Sequence, residues 1–486
     1  MEADKPVVMQ ELKGRITIYT VTGCLHCFRA KARLINMGLP YTEVNIKTNP
    51  EIRKYVMELT GRFTVPQIFF NGIFLGGNDD FENMPEEELT KLINMVKNEP
   101  VPDDAPPIPE PGAVKEEVPK EEEPKIERDE YADLIVAFKE SGNIGNHWSC
   151  LKVHHNTFTG KKLITWLISN RNVDKPAAVA MAKVLISRKF LNPLSENAME
   201  DSDSLFRLVE HDSPSALNTG ATAELRAVSA SGHSEIMREL ILKLFAEYIT
   251  PDGKYVDYKG MATSPMFEEF RVLALQLQRL KFDNLDRRAK LAFFINTYNA
   301  LVIHGNIVYN APRTLWQRYK FFNTASYLIG GEIFSLHDIE NGVLRANRKG
   351  IAQLSKPFAK GDPRLKAAVE EVEPMIHFGL NCGVQSCPPI KTYSAKEIDE
   401  QLKMATEAFL DGSDGCSIDV AKKEVRLSQL FKWYKVDFGG TDEKLLKWVF
   451  DHLRDSPKKT AMKELMAKGN VKITYLPYDW STNAKD

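Results

Sequence analysis

Apolar residues along the first hundred positions switch between two periods. Residues 15–21, "RITIYTV", are β-branched and short, so they predict a strand. From Cys24 on, Phe28, Ala32 and Ile35 recur at helical spacing until Gly38 ends the run. "YTEVNI" predicts a second strand. "NPEIRKYVMELTG" predicts a helix, with Pro50 near its start and Gly61 past its end. "PQIFF" and "IFLGG" flank an Asn-Gly pair, a strong hairpin signal. "PEEELTKLINMVKN" closes the block as a helix, giving the order β-α-β-α-β-β-α.

The periodicity then stops. Residues 98–130, "NEPVPDDAPPIPEPGAVKEEVPKEEEPKIERDE", combine prolines, which restrict φ and remove donors, with mutually repelling glutamates. Such a segment buries too little apolar surface to offset its ordering entropy, so an extended, partly disordered linker is expected. A softer break, "HDSPSALNTGATAE", covers 211–224. Three blocks result: 1–97, 131–210 and 225–480.

In the second block, "WSCLKVHHNTFTGKKLITWLISN" reads as a loop running into a helix. Leu163, Trp166 and Leu167 form its apolar face. "PAAVAMAKVLISRKFL" predicts a second helix, and short strands are expected around "FLNPL" and "LFRLV". The third block is mixed α+β. "HSEIMRELILKLFAEYI", "SPMFEEFRVLALQLQRL" and "RRAKLAFFINTYNALVIHGNIV" carry its helices. A strand is expected through His377, ahead of a Gly/Ser/Pro turn bearing Cys382 and Cys387.

Length and charge change the picture only modestly. The 486 residues suggest roughly three domains. A net charge of −2 gives no global reason to expect nucleic acid or an anionic membrane as partner. Six cysteines are too few for a disulfide framework in a chain this long and suit a reducing compartment. "MEADKPVVMQEL" is too polar and acidic for a signal or transit peptide. "LAFFINTYNALVI" is interrupted by Asn296, Thr297 and Asn299, and is shorter than the ~20 residues of a membrane span. A cytoplasmic location is expected.

The chemistry begins at Cys24 and Cys27, at the expected strand-to-helix turn. A helix N-terminus favours thiolate over thiol, and thiolate is the nucleophile. Arg29 and Lys31 add positive charge close by, and Cys27, one turn on, can resolve a mixed disulfide. A zinc half-site and a buried pair are the alternatives. Zinc needs further ligands, and the block offers only His26, so no metal is expected.

With "CLHC", "TGRFTVPQIFFNG" and "GGNDDF", block one resembles a glutaredoxin over nearly its whole length. The resemblance implies a thioredoxin-like fold and glutathione as co-substrate. It makes Cys24 the nucleophile and Cys27 the resolving thiol. Pro66 becomes a cis-proline that presents the Val65 backbone to glutathione. Arg62 approaches the glycine carboxylate, and Gly77, Asn78 and Asp79 hold the γ-glutamyl end. Two positions depart from the family: Leu25-His26 stands where Pro-Tyr or Pro-Phe is usual, and Val21 where a lysine is frequent. The missing cation weakens glutathione binding and thiolate stabilisation, and a protonated His26 restores part of the latter.

Residues 131–210 resemble a DEP domain, winged-helix-like, most specifically in "FTGKKLITWLI". That implies docking on a membrane or receptor tail. Lys152, Lys161 and Lys162 offer a basic patch or simply a solvated face. Cys150 and the His154-His155 pair lack a third ligand and read as packing and surface. Residues 225–450 resemble the domain-of-unknown-function 547 family through "AFFINTYNALVIH", "LHDIENGVLR" and "LNCGVQSCPP". This brings no activity with it. His377 with Cys382 or Cys387, and His304 with Asn296 or Asn299, are its candidate second site. Cysteine–histidine–amide sets recur in thiol hydrolases, and hydrogen-bonded core residues are the alternative.

The leading expectation is a cytosolic glutathione-dependent thiol–disulfide oxidoreductase acting on protein disulfides or glutathionylated proteins. A signalling adaptor with a catalytically weak glutaredoxin fold is second. A cysteine-dependent hydrolase or transferase in the C-terminal domain is third.

Overall fold

The computed structural model describes residues 10–485, except 21–24, 47–48, 63, 110–127, 150–151, 195–201, 212–215, 225–229, 251–253, 283–284 and 352. It divides into two compact units, Met1–Glu123 with Leu242–Gly253, and Pro124–Ile241 with Lys254–Asp486.

The first unit follows the expected order: β1 (Ile16–Thr20), α1 (Leu25–Asn36), β2 (Thr42–Asn45), α2 (Pro50–Thr60), β3 (Gln67–Phe70) and β4 (Ile73–Gly76). Two helices follow, α3 (Asn78–Asn83) and α4 (Glu86–Asn98). The short α3 has no counterpart in the sequence pattern. The sheet order is β2-β1-β3-β4, with β1 parallel to β2 and antiparallel to β3. The period of two sorts the side chains of β1 to the two faces. Ile16 and Ile18 join Leu34, Ile68, Phe70 and Phe81 on one face, while Tyr19 joins Val44, Val56 and Phe69 on the other. Burial on both faces is why this strand carries no charged residue. Gly61 ends α2 in the left-handed region at φ 65° and donates its N–H to the Met57 carbonyl.

The start of the proline-rich segment departs from the expected loose linker. Arg15 donates to the Pro106 carbonyl at 2.8 Å, the Tyr19 hydroxyl donates to that of Pro107 at 2.9 Å, and Ile108 packs beside Tyr19 and Phe69. Proline removes donors but leaves carbonyls, and these two find partners on β1.

The second unit opens with α5 (Ala132–Glu140), β5 (Gly145–Ser149), β6 (Lys152–Thr159), α6 (Gly160–Arg171), α7 (Lys175–Ser187), β7 (Leu191–Pro193) and β8 (Leu205–Leu208). Its antiparallel sheet runs β5-β6-β8-β7 around Phe138, Phe158, Leu163 and Phe206. The β5–β6 hairpin stands where a loop was expected. Most of β6 is exposed, so no apolar alternation marks it. Thr159 then caps α6 by accepting from the Lys162 N–H.

The rest of this unit holds the part of α8 (Ala230–Tyr248) that precedes Leu242, then α9 (Tyr258–Ala262), α10 (Pro265–Gln276), α11 (Arg287–Tyr309) and α12 (Leu315–Thr324). The hairpin β9 (Ser326–Ile329) and β10 (Glu332–Ser335) leads into a π-helical turn, Asp338–Leu344. After α13 (Ile398–Asp411) come β11 (Cys416–Asp419), β12 (Glu424–Leu427), α14 (Gln429–Trp433), α15 (Asp442–His452), α16 (Pro457–Lys468) and β13 (Lys472–Tyr475). The last three strands form one sheet. The strand expected through His377 is instead a 3₁₀ turn, Pro374–Phe378. Pro374 lacks a donor for a strand ladder, and the Glu373 carboxylate caps the turn by accepting from the Met375 N–H.

Two polar devices organise this unit. Arg279, only 2% exposed, pairs with the buried Asp129 and donates to the carbonyls of Arg188 and Ala223, both at 2.9 Å. Its guanidinium also lies 3.5 Å from the centroid of the Phe190 ring. It thereby ties the residues flanking α5 and α7 to the end of α10. The second device is α11, buried from Leu291 to Asn306. By length and composition this helix is apolar enough to cross a membrane, yet 89% of its apolar window is buried inside the protein. Asn296 accepts from the Tyr393 N–H at 2.9 Å and donates to the Tyr393 carbonyl at 2.7 Å. Asn299 does the same for the Asn381 N–H and the Gly379 carbonyl. A buried amide missing such partners costs about 1–3 kcal/mol per orphaned group. Asn296→Ala orphans both backbone groups of Tyr393. It is expected to lower stability by about 2–4 kcal/mol, read from the denaturant midpoint at constant slope. A loss below about 1 kcal/mol would show that water takes over the clamp.

Candidate functional site

In the first unit, β1 points its C-terminal end at the CxxC stretch and α1 carries it away. Cys24 precedes α1 and lies outside the described residues, as does Val21. Cys27 is disulfide-bonded and only 2% exposed. The cations expected beside Cys24 are engaged elsewhere. Lys31 binds the Glu43 carboxylate at 2.9 and 3.0 Å. Arg29 donates to the carbonyls of Phe245, Ala246 and Thr250.

The other expected residues converge on one turn. The Val65–Pro66 peptide bond is cis. Gln67 braces the approach to it, donating to the carbonyls of Arg62 and Thr64 at 2.8 and 3.2 Å. Gly77 faces this strap: a Cβ there would lie 3.5 Å from the Pro66 carbonyl oxygen and 3.7 Å from Arg62 Nη1. The Asp80 carboxylate accepts from the Gly77 N–H at 2.7 Å and pairs with Arg62. The Arg62 hydrogen bond and the Gly77 N–H hold its pKa below the usual carboxylate range. Asp79 reaches back toward the CxxC stretch, with Oδ1 3.9 Å from His26 Nδ1. Asn78 is 3% exposed, and its Oδ1 is buried with no partner among the described residues. An orphaned amide oxygen beside a cradle of backbone groups fits a ligand that brings its own N–H.

Three family models match, in order along the chain. "Glutaredoxin" covers residues 16–75, "Domain found in Dishevelled, Egl-10, and Pleckstrin (DEP)" covers 143–208, and "Protein of unknown function, DUF547" covers 282–410. Glutaredoxin 1 of Rickettsia prowazekii is 38% identical over 81 residues, 16% of this chain and 85% of that protein. The chain belongs to the glutaredoxin family. Glutaredoxin 3 of Escherichia coli K12 is 42% identical over 67 residues, 14% of this chain and 81% of its own length. The solution structure of glutaredoxin from Brucella melitensis is 37% identical, covering 18% of this chain and 92% of that one, with a TM-score of 0.16. These likenesses concern the glutaredoxin domain alone. The chain joins a thioredoxin-like redox module to a DEP domain and a third, mixed helix–sheet domain.

Among the described residues, those singled out in the DEP sequence carry no assembled site. Cys150 lies outside the described residues, His155 Nδ1 meets Asn146 Oδ1 at 3.1 Å, and Lys161 and Lys162 are exposed.

In the third domain, the residues expected as one site fall into separate sets. His304 Nδ1 hydrogen-bonds with the Tyr327 hydroxyl at 2.8 Å, its ring edge-on to the stacked rings of Phe267 and Phe270. His377 donates from Nε2 to the Asp437 carboxylate at 2.9 Å and stacks on Tyr434, ring centroids 3.9 Å apart. Asp437 is fully buried and also binds Arg345 and Arg348. Burial raises its pKa, but His377 and Arg345 outweigh that and keep it an anion. Burial lowers the His377 pKa, against the opposing pull of Asp437. Beside it, Glu340 on the π-helical turn accepts from the hydroxyls of Tyr298 and Tyr434 at 3.1 and 2.6 Å. Asn296 and Asn299 serve the backbone, as above. Neither the Cys382 nor the Cys387 sulfur has an imidazole partner among the described residues.

What the structure does bring together is the two thiols, 3.1 Å apart, with the Tyr478 hydroxyl 3.7 Å from Cys387 Sγ. Burial raises the Cys387 pKa. The Cys382 thiol, backbone N–H groups and Tyr478 reverse that and bring it below the ordinary thiol range. The hydrogen bond to Cys387, then burial, pushes Cys382 well above that range. Sequence reasoning missed Tyr478, Glu340 and the Asp437 cluster. Glu340 and Asp437 lie in "LHDIENGVLR" and "LFKWYKVDFGG", where they stand as carboxylates among apolar residues, and Tyr478 lies in neither.

The buried imidazoles make stability depend on pH. Burial first, then Arg271, lowers the His304 pKa to about 4, and burial alone does the same for His233. An unfolded histidine titrates near 6.5, so between about 6.5 and 4 the unfolded chain binds more protons. Stability therefore falls as pH drops through that window, by up to about 3 kcal/mol for each histidine. His304→Gln, which keeps an acceptor for Tyr327, is expected to flatten the fall in unfolding midpoint between pH 6.5 and 4. An unchanged slope would mean that His304 is protonated in the folded chain.

Proposed function

We propose that the protein is a cytosolic thiol–disulfide oxidoreductase that uses glutathione, with the DEP domain docking it on a membrane or receptor tail. The Cys24 thiolate attacks one sulfur of a protein disulfide or glutathionylated thiol, and the other sulfur leaves as thiolate. Cys27 then attacks the Cys24 sulfur, releases the bound group and closes the Cys24–Cys27 disulfide. Two glutathione molecules reopen it and leave as glutathione disulfide. The helix start behind Cys24 lowers the cost of its thiolate. Arg62 receives the glycine carboxylate, the Val65 backbone pairs with the cysteine residue, and Gly77, Asn78 and Asp79 hold the γ-glutamyl end.

The observation that carries this reading is the convergence on one turn of Arg62, cis-Pro66, Gly77 and the orphaned Asn78 Oδ1. Likeness to glutaredoxins over 85% of their length supports it. Among the described residues Cys382, Cys387 and Cys416 are free thiols, which suits a reducing compartment. In the C-terminal domain the two candidate imidazoles are already bound to Asp437 and Tyr327. A Cys–His hydrolase reading therefore has less support.

The full chain is expected to reduce a small glutathionylated disulfide with glutathione, and Cys24→Ser is expected to abolish turnover. Arg62→Ala is expected to raise KM for the glutathione-bearing substrate about five- to thirtyfold, the worth of one charge-assisted bond, with kcat largely kept. No turnover by the native chain would favour the adaptor reading. Turnover that survives Cys24→Ser would move the nucleophile elsewhere.

A further inference from the structure

The loop 381–388 holds two sulfurs that the N-terminal chemistry does not use. Its shape is enforced from several sides. The Asn381 side chain donates to the Pro388 carbonyl and accepts from the Gly383 N–H, both at 2.8 Å, closing the loop across its base. Gly383 turns at φ 82°, in the left-handed region that glycine tolerates. The Gly383 carbonyl accepts from the Asn483 N–H at 3.1 Å, and the Gln385 N–H donates to the Ser481 carbonyl at 3.0 Å. The Cys387 N–H donates to the Val384 carbonyl at 3.1 Å. Asn299 of α11 anchors the entry by accepting from the Asn381 N–H.

This frame sets the Cys382 and Cys387 sulfurs 3.1 Å apart as free thiols. A disulfide spans about 2.0 Å, so closure needs a movement of only about 1 Å. The Cys382 N–H also donates to Cys387 Sγ at 3.2 Å. Three donors thus converge on one sulfur: a backbone N–H, a thiol and the Tyr478 hydroxyl. Burial holds Tyr478 well above the usual phenol range, so it remains a donor at neutral pH. Both cysteines are partly exposed. Among the described residues no third histidine, cysteine, aspartate or glutamate completes a metal ligand set. Cys416 supplies the contrast. It is 1% exposed, and burial, opposed only in part by the Lys458 charge, raises it to about 11, as for an inert core thiol.

We propose that Cys382 and Cys387 form a second, reversible dithiol–disulfide centre in the C-terminal domain, with Cys387 as the nucleophile toward small disulfides and Cys382 as the resolving thiol. The Cys387 thiolate attacks one sulfur of glutathione disulfide, forms a mixed disulfide and expels a glutathione thiolate. Cys382 gives its proton to that thiolate or to solvent. Its sulfur then attacks the Cys387 sulfur, closes the Cys382–Cys387 bond and expels the second glutathione. Two protein thiols are oxidised and one disulfide is reduced to two thiols. Excess reduced glutathione runs the same steps backward. The centre stands apart from the N-terminal chemistry and does not depend on it.

The test uses the full chain carrying Cys24→Ser and Cys27→Ser, equilibrated in glutathione redox buffers and mapped by differential alkylation and mass spectrometry. A Cys382–Cys387 disulfide is expected at the oxidising end and two free thiols at the reducing end, with Cys416 free throughout. Adding Cys382→Ser is expected to trap glutathione on Cys387. Adding Cys387→Ser instead is expected to leave about tenfold less adduct on Cys382. Two thiols that stay free across all buffers would overturn the proposal, and adduct confined to Cys382 would reverse the roles it assigns. Should either variant fail to fold, the native chain is alkylated at pH 7. Cys387 is expected to react at least about tenfold faster than Cys416, and equal rates overturn the proposal.

Discussion

An apolar helix that carries loops on its surface must satisfy their backbone groups without water. In the second unit that constraint falls on α11. Between Leu291 and Asn306 it is buried on all sides, yet it keeps Asn296, Asn299, His304 and Asn306. Each meets a defined partner. Asn296 and Asn299 hold backbone at Tyr393 and at Gly379–Asn381, His304 receives the Tyr327 hydroxyl, and Asn306 donates to Tyr258, whose hydroxyl donates to Asn483. An unpaired amide at such depth is far more costly than an exposed one. These side chains therefore fix where the loops run, and the dithiol loop is one of them. Asn299 positions its entry through Asn381, and Asn306 reaches its turn at Gly383 through Tyr258 and Asn483.

The same logic, at a more exposed place, shapes the glutaredoxin cradle. Asp80 is not part of the expected ligand set, yet it joins two members of it by binding both Arg62 and the Gly77 N–H. Arg62 is thereby presented with a partner already in place, so its guanidinium is shared rather than free. Asp79 and His26 come within 3.9 Å, so the turn and the CxxC stretch sense each other's charge. A protonated His26 would draw on Asp79 as well as on a neighbouring thiolate, which divides the compensation expected for the missing lysine at Val21.

Thiol chemistry in this chain is graded by local donors rather than by burial alone. Cys416 and Cys387 both lose hydration. One is raised because burial outweighs the single Lys458 charge nearby, and the other is lowered because a backbone N–H, a thiol and a phenol replace the lost water. The Asp437 cluster follows the same rule: a fully buried carboxylate persists as an anion because His377 and two arginines surround it. Removal from water sets the scale of each shift, and the fixed dipoles and charges around the group set its sign.

Elements whose signal is local were legible in the sequence. β1, α1 and α2 with Gly61 past its end follow from period, capping and turn chemistry among near neighbours, and so does the full run of α11. The CxxC stretch was legible from its spacing, while the proline at 66 and the turn at 77–79 were legible only through the resemblance to glutaredoxins. The β5–β6 hairpin was not, since its exposed residues carry no alternation, and Pro374 with the Glu373 cap turned an expected strand at His377 into a 3₁₀ turn. The partners of His377, Cys387 and Asn296 were invisible for a different reason. Asp437, Tyr478 and Tyr393 lie 60, 91 and 97 residues away along the chain. A sequence states which groups need a hydrogen bond once buried, but only the packed chain decides which distant group supplies it, because that choice is made by shape and desolvation acting over all the elements at once.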